Sequence, residues 1–141
     1  MPGPFALDYF VFVLVASLGV LQAIAAYSGL RGLLLISSGP LAFLLGLGTA
    51  SLAFIWFFAS EPRNLPDTQG GLDGNQSAGL FAVAAGLALL LTLLVSSLSN
   101  RTLGERGQPV DPGLDALRQT TYLKAISLKA LPGKLRKIWM R

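Results

Sequence analysis

Seven carboxylates and eleven lysines and arginines carry nearly all the ionisable chemistry of this chain of 141 residues, which contains neither Cys nor His. That absence removes thiolate and imidazole metal sites, His-ligated haem, disulfides, and Ser-His or Cys-His nucleophilic pairs. Of the carboxylates left for acid-base work, Asp8, Glu61, Asp67 and Asp73, with Arg63 as a neighbouring cation, lie on the expected outer side. Carboxylates converging on a headgroup could support a lipid-modifying activity at a membrane surface. The segment 60–77 that holds most of them is dense in Pro, Gly, Asn and Asp, a composition of turns that gives no reason for convergence. Asp73-Gly74-Asn75 resembles a fragment of a calcium loop, yet it lacks the alternating oxygen ligands and the closing Glu, and it reads as an Asp-Gly turn. The triplets Asn75-Gln76-Ser77 and Asn100-Arg101-Thr102 fit the glycosylation pattern, but one abuts an apolar run and the other falls on the inner side, so neither carries weight. Gly46-Leu47-Gly48 and Gly70-Gly71 match no phosphate-binding fingerprint. No catalytic residue, cofactor or metal is expected, and the chain is not expected to be an enzyme.

The elements that would position these groups follow from composition. A mean hydropathy of +0.60, with 52% hydrophobic and 13% charged residues, places the chain in the membrane class. The expected fold is all-α, an integral membrane protein with three transmembrane helices, since a hydrocarbon core of roughly 30 Å needs about 20 helical residues. The spans are expected over 8–27, 33–59 and 78–99. The second is over-long and contains Pro40, which predicts a kink there or a start nearer Leu41 with Ser38 as cap. The first run is read as a retained span and not a cleaved signal, because no Lys or Arg precedes it and a second span follows within a few residues.

Orientation follows from the basic residues. Arg31 lies in the first turn, Arg63 in the extracytoplasmic loop 60–77, and the remaining nine follow Ser99. The expectation is an N-terminus outside and a C-terminus in the cytoplasm. Size and simplicity suggest the plasma membrane of a prokaryote.

Small residues recur every four positions along the second span, at Ser38, Ala42, Gly46 and Ala50, and along the third, at Ala78, Ala82 and Gly86; the first offers Gly19 and Ala23. Such rows permit close approach of helix backbones in lipid. They serve packing among the three helices, or one of them faces a partner protein or a second copy. Gln22 is the only strongly polar residue inside the first span, and its amide is expected to seek an interhelical bond in preference to a ligand or pigment. Thr49, Ser51, Thr92, Ser96 and Ser97 can return a bond to their own helix and need no function. Trp56, Phe57 and Phe58, with Tyr9 and Phe10 at the same level, read as interfacial anchors.

Beyond Asn100 the chain turns polar. Residues 100–113 read as a flexible linker, and 114–141 as a basic amphipathic cytoplasmic tail, helical over 114–131 until Pro132-Gly133. Leu117, Leu128, Leu131, Leu135 and Ile138 would share one side of a continuous axis, with Lys124 interrupting the stripe. Lys124, Lys129, Lys134, Arg136, Lys137 and Arg141, with Trp139 among them and no acidic residue, suit the anionic lipids of the inner leaflet, at on the order of 1 kcal/mol per charge. A docking helix for a partner, or a merely solvated tail, are the other readings. Nucleic acid is not an expected partner, because the basic segment is short and lacks a recognition fold.

The function these features suggest is that of a small non-catalytic accessory, assembly or anchoring subunit of a larger membrane complex, whose partners are the lipid bilayer and other membrane subunits or itself. The alternative is a homo-oligomeric small channel or transporter with its pore between copies.

Overall fold

The computed structural model describes residues 4–60, 72–100 and 113–130. Their secondary structure is helical throughout, and three helices are long and apolar enough to cross a membrane. Helix α1 spans Pro4–Tyr27. It begins ahead of the expected boundary because Pro4 stands at the first helical position, where a missing N–H leaves no bond unmade. Its stop is set by Gly29 just beyond it, whose φ of 69° is the left-handed conformation that glycine adopts without steric cost. The Leu30 N–H then reaches back to the Ala25 carbonyl at 2.9 Å and the Gly29 N–H to Ala26 at 3.2 Å, closing a Schellman motif. Leu30 packs against the buried cluster of Ala25, Leu34 and Ala42, which completes the stop.

The expected second span over 33–59 is divided. A 3₁₀ turn covers Arg31–Leu33, an irregular stretch follows, and helix α2 occupies Gly39–Ala59. Pro40 therefore sits in the first turn; a helix begun earlier would need its absent N–H to reach the carbonyl of Ile36. Ser38 holds the N-cap position with extended backbone, although its hydroxyl makes no capping bond.

Helix α3 covers Gly74–Ser99 and starts four residues before the expected position. The Asp73 carboxylate accepts from the Gln76 N–H at 2.7 Å, so Asp73-Gly74 is a helix N-cap and not the loop turn read from the sequence. Asp73→Ala is expected to cost about 1 kcal/mol and to speed amide exchange at Gln76, while Asp73→Ser retains most of the cap. Hydrogen-exchange mass spectrometry of the two variants checks this.

The helix expected over 114–131 is also interrupted. A second 3₁₀ turn spans Gly113–Arg118, and helix α4 spans Tyr122–Ala130. The Gln119 and Thr120 N–H groups both turn back to the Ala116 carbonyl, while the Thr121 carbonyl accepts the first bond of α4 from Ala125 at 2.9 Å. Thr120 and Thr121 are buried in this break. Residues 101–112 of the expected linker, 61–71 of the expected loop, and 131–141 of the tail lie outside the described residues.

Helix α1 is central: α2 packs on one side and α3 on another, and α2 and α3 scarcely meet. The result is an open layer in the order α2, α1, α3. Its buried positions are mostly small, with Ala6, Ala16 and Ala25 on α1, Ala42, Ala50 and Ala53 on α2, and Ala84 and Ala88 on α3. Large apolar side chains point outward instead, Leu44, Leu52, Phe58 and Val83 each being more than 60% exposed. This inside-small, outside-large distribution suits hydrocarbon around the helices; in water the same surface would be one continuous apolar patch.

Candidate functional site

Helices α1 and α2 meet backbone on backbone. A β-carbon added at Gly46 would lie 2.6 Å from the Gly19 carbonyl oxygen and 2.7 Å from the Ala23 nitrogen. One added at Gly19 would lie 2.6 Å from both the Gly46 oxygen and the Ala50 nitrogen. Only a hydrogen fits at either position. Ala42, Gly46 and Ala50 are buried in this seam. Ser38, the first member of that row in the sequence, is exposed ahead of the helix.

The row on α3 has a different place. Ala78, Ala82 and Gly86 are exposed, and a β-carbon at Gly86 would meet nothing within 4 Å. The buried α3 residues Ala84, Ala88, Thr92 and Ser96 form a second row at four-residue spacing, with Ser97 buried beside its end. Spacing alone does not choose between two such rows on one helix.

At the opposite end of the seam, aromatic rings replace small residues. Phe57 is buried, stacked on Phe12 with centroids 4.4 Å apart, and Tyr9 meets its edge at 6.2 Å. Phe12 also meets Phe54 edge-on at 4.9 Å. Phe57 thus wedges α1 from α2 where both chains are bulky and is not the interfacial anchor read from the sequence. Trp56 and Phe58 remain exposed at this level. Below them a shallow apolar groove of about 350 Å³ runs between Val11, Val15, Thr49, Leu52, Ala53 and Trp56.

The polar groups gather at the other end, around the connection between α1 and α2. The Gln22 side chain donates from Nε2 to the Leu33 carbonyl at 3.1 Å and accepts from the Leu35 N–H at 2.9 Å. Its partner is therefore the connecting backbone and not another helix. Asn100, at the C-cap of α3, donates to the Leu34 carbonyl at 2.6 Å and to Ser96 at 3.1 Å. Between these two amides, Leu34 places its buried side chain against Ala25 and Ala42. Buried irregular backbone requires such satisfaction, since an unpaired N–H or C=O away from water is costly. Asn100 had no signal in the sequence beyond its position at a span end.

The second 3₁₀ turn docks here as well. Gly32 lies directly against the carbonyls of Thr120 and Leu117, with no room for a side chain. The Leu123 N–H donates to the Ser97 hydroxyl at 3.3 Å, tying the first turn of α4 to the last turns of α3. Ser97, read from the sequence as satisfied within its own helix, therefore serves another element.

Of the residues expected at the membrane surface, Lys124 is half-buried on α4, and Lys129 lies in the same helix. Lys134, Arg136, Lys137, Trp139 and Arg141 lie outside the described residues. Arg31 is exposed, and Arg118 pairs with Asp115 at 3.1 Å. Asp8 is half-buried on α1, and Asp73 is occupied as a cap. Glu61, Arg63 and Asp67 lie outside the described residues. Among the described residues no three potential ligands gather where a metal could bind. The chemistry of this end is the holding of backbone, with Arg31 exposed beside it.

No family model, curated protein or solved structure matches the chain.

Proposed function

We propose that the chain is a non-catalytic integral membrane protein that acts as an accessory, assembly or anchoring subunit of a larger membrane complex, in the plasma membrane of a prokaryote. The observation that carries this reading is the open layer: of the two other long helices α3 packs on α1, and α2 does not close over it. A spanning helix walled on one side leaves most of its surface to lipid or to other helices, and the exposed row Ala78, Ala82 and Gly86 lets another backbone come close. The distribution of Lys and Arg supports an N-terminus outside and the connector between α1 and α2 on the cytoplasmic side.

Native mass spectrometry of the protein extracted gently from its own membrane tests the proposal. The expected result is a complex with other membrane subunits, which Ala82→Leu combined with Gly86→Leu weakens by about tenfold or more while leaving the fold unchanged, because both positions are open. A lone monomer would overturn the accessory reading. A pure homo-oligomer that conducts ions or solutes in liposomes would replace it with the channel reading.

A further inference from the structure

We propose that α4 and the second 3₁₀ turn form an in-plane platform that binds the anionic surface of the bilayer at the connector end of the bundle. The inference rests on the membrane reading of α1 to α3 and concerns residues 113–130.

Depth is the first argument. The bond from the Leu123 N–H to the Ser97 hydroxyl holds the start of α4 beside Ser97, which lies before the end of α3 at Ser99. Thr120 and Leu117 are seated on Gly32, within the turn that links α1 to α2. Two independent contacts therefore hold this part of the chain level with the ends of the spans and not out in the surrounding water. A solvated tail needs neither contact.

Surface chemistry is the second argument. At this level the segment exposes Leu114, Leu123 and Ile126, to 72%, 45% and 48%. Large aliphatic side chains in such numbers on a short segment are costly in water and favourable at the boundary between headgroups and acyl chains. The half-buried Lys124 stands on the same segment, Lys129 follows it in the sequence of α4, and the exposed Arg31 stands in the adjoining turn. From Lys124 to Arg141 the sequence holds six basic residues and no acidic one. Apolar and basic groups on one short helix at the edge of a span are complementary to an anionic lipid surface. Each cation adds about a fivefold preference for anionic over neutral lipid. Where a partner protein would supply acidic groups at fixed points, a lipid surface needs only the sign of the charge and the depth, which are the two properties this segment has.

The test uses the full chain, whose lack of cysteine allows single-site labelling without background. An environment-sensitive fluorophore is placed at Ile126→Cys, and separately at Leu52→Cys on the exposed face of α2, with the protein reconstituted into phosphatidylcholine vesicles with or without phosphatidylglycerol. Both leaflets have one composition, so the direction of insertion does not enter. The probe at residue 52 is expected to report hydrocarbon in both vesicles. The probe at residue 126 is expected to shift to the blue with phosphatidylglycerol and less without it, and Lys124→Glu with Lys129→Glu is expected to abolish that difference. Water-like emission at residue 126, with residue 52 in hydrocarbon, would overturn the platform while leaving the membrane reading intact. Water-like emission at both would overturn the membrane reading and the platform with it. A blue shift at residue 126 that is equal in both lipids and insensitive to the charge reversals would overturn the assignment to anionic lipid. Protection of residue 126 in native membranes but not in vesicles would overturn it in favour of a protein partner.

Discussion

Gly46→Leu is expected to separate α1 from α2 and to destabilise the folded protein by about 3 kcal/mol, the upper part of the range for overpacking. A β-carbon alone would stand 2.6 Å from the Gly19 carbonyl oxygen, and that obstacle is backbone, which cannot rotate away as a side chain can. Gly46→Ala is expected to cost about 1 to 2 kcal/mol by the same clash on a smaller scale. Gly48→Ala and Gly86→Ala are the controls, since both positions are open, and each should change stability by no more than about 0.5 kcal/mol. Unfolding in mixed micelles by titration with a denaturing detergent, followed by circular dichroism, measures the series. Equal stability for Gly46→Leu and Gly86→Leu would mean that the seam is not closed as described. The same geometry separates two questions that the sequence runs together. Substitution at Gly46 perturbs the fold, so loss of a partner in that variant says nothing about where the partner binds; substitution at Ala82 and Gly86 asks about the partner.

Legibility in the sequence followed the strength of the local signal. Three long apolar runs can be recognised without tertiary information because their length and composition alone are enough to cross a membrane. Their ends were less legible, and for particular reasons. Asp73 and Gln76 form a cap of the D-x-x-Q type, but the intervening Gly74-Asn75 reads equally well as a turn until a helix is known to follow. Pro40 indicated a discontinuity, while the choice between a kink and a fresh start depended on Leu34, which is drawn into a pocket formed with Ala25 and Ala42. On α3 the row at 78, 82 and 86 and the row at 84, 88, 92 and 96 have the same spacing, and only contact with α1 distinguishes them. The docking of Thr120 on Gly32 joins positions far apart in sequence through a carbonyl and a missing side chain, and neither leaves a pattern in residue types.

Gln22→Leu, nearly isosteric and apolar, removes both bonds to the connector at once. The Leu33 carbonyl and the Leu35 N–H then lose their partners at a site where the Gln22 side chain had excluded water, being itself only 8% exposed. Each orphaned group costs about 1 to 3 kcal/mol, and partial access of water at the span boundary brings the expected total to about 2 to 3 kcal/mol. If that loss falls on local opening, amide exchange at Leu35 rises by roughly 30- to 150-fold. Gln22→Glu gives the more discriminating result. A protonated carboxyl supplies one donor and one acceptor, as the amide does, whereas the ionised form can only accept, leaving the Leu33 carbonyl facing a negative charge. Stability of that variant is therefore expected to be regained on acidification and lost as pH rises, while Gln22→Leu stays destabilised throughout. Asn100→Ala removes the grip on the neighbouring Leu34 carbonyl from the side of α3. Since both amides hold one short segment, the double variant is expected to cost less than the sum of the two, by about 0.5 to 1 kcal/mol. Strict additivity would mean that the two amides hold independent structures, and a silent Gln22→Leu would return this side chain to the role of a ligand or partner contact. The predicted coupling has a consequence for assembly. It makes the α1–α2 connector, the end of α3 and, through Ser97 and Gly32, the start of α4 one cooperative unit, so that whatever binds α4 stabilises the open layer from its end.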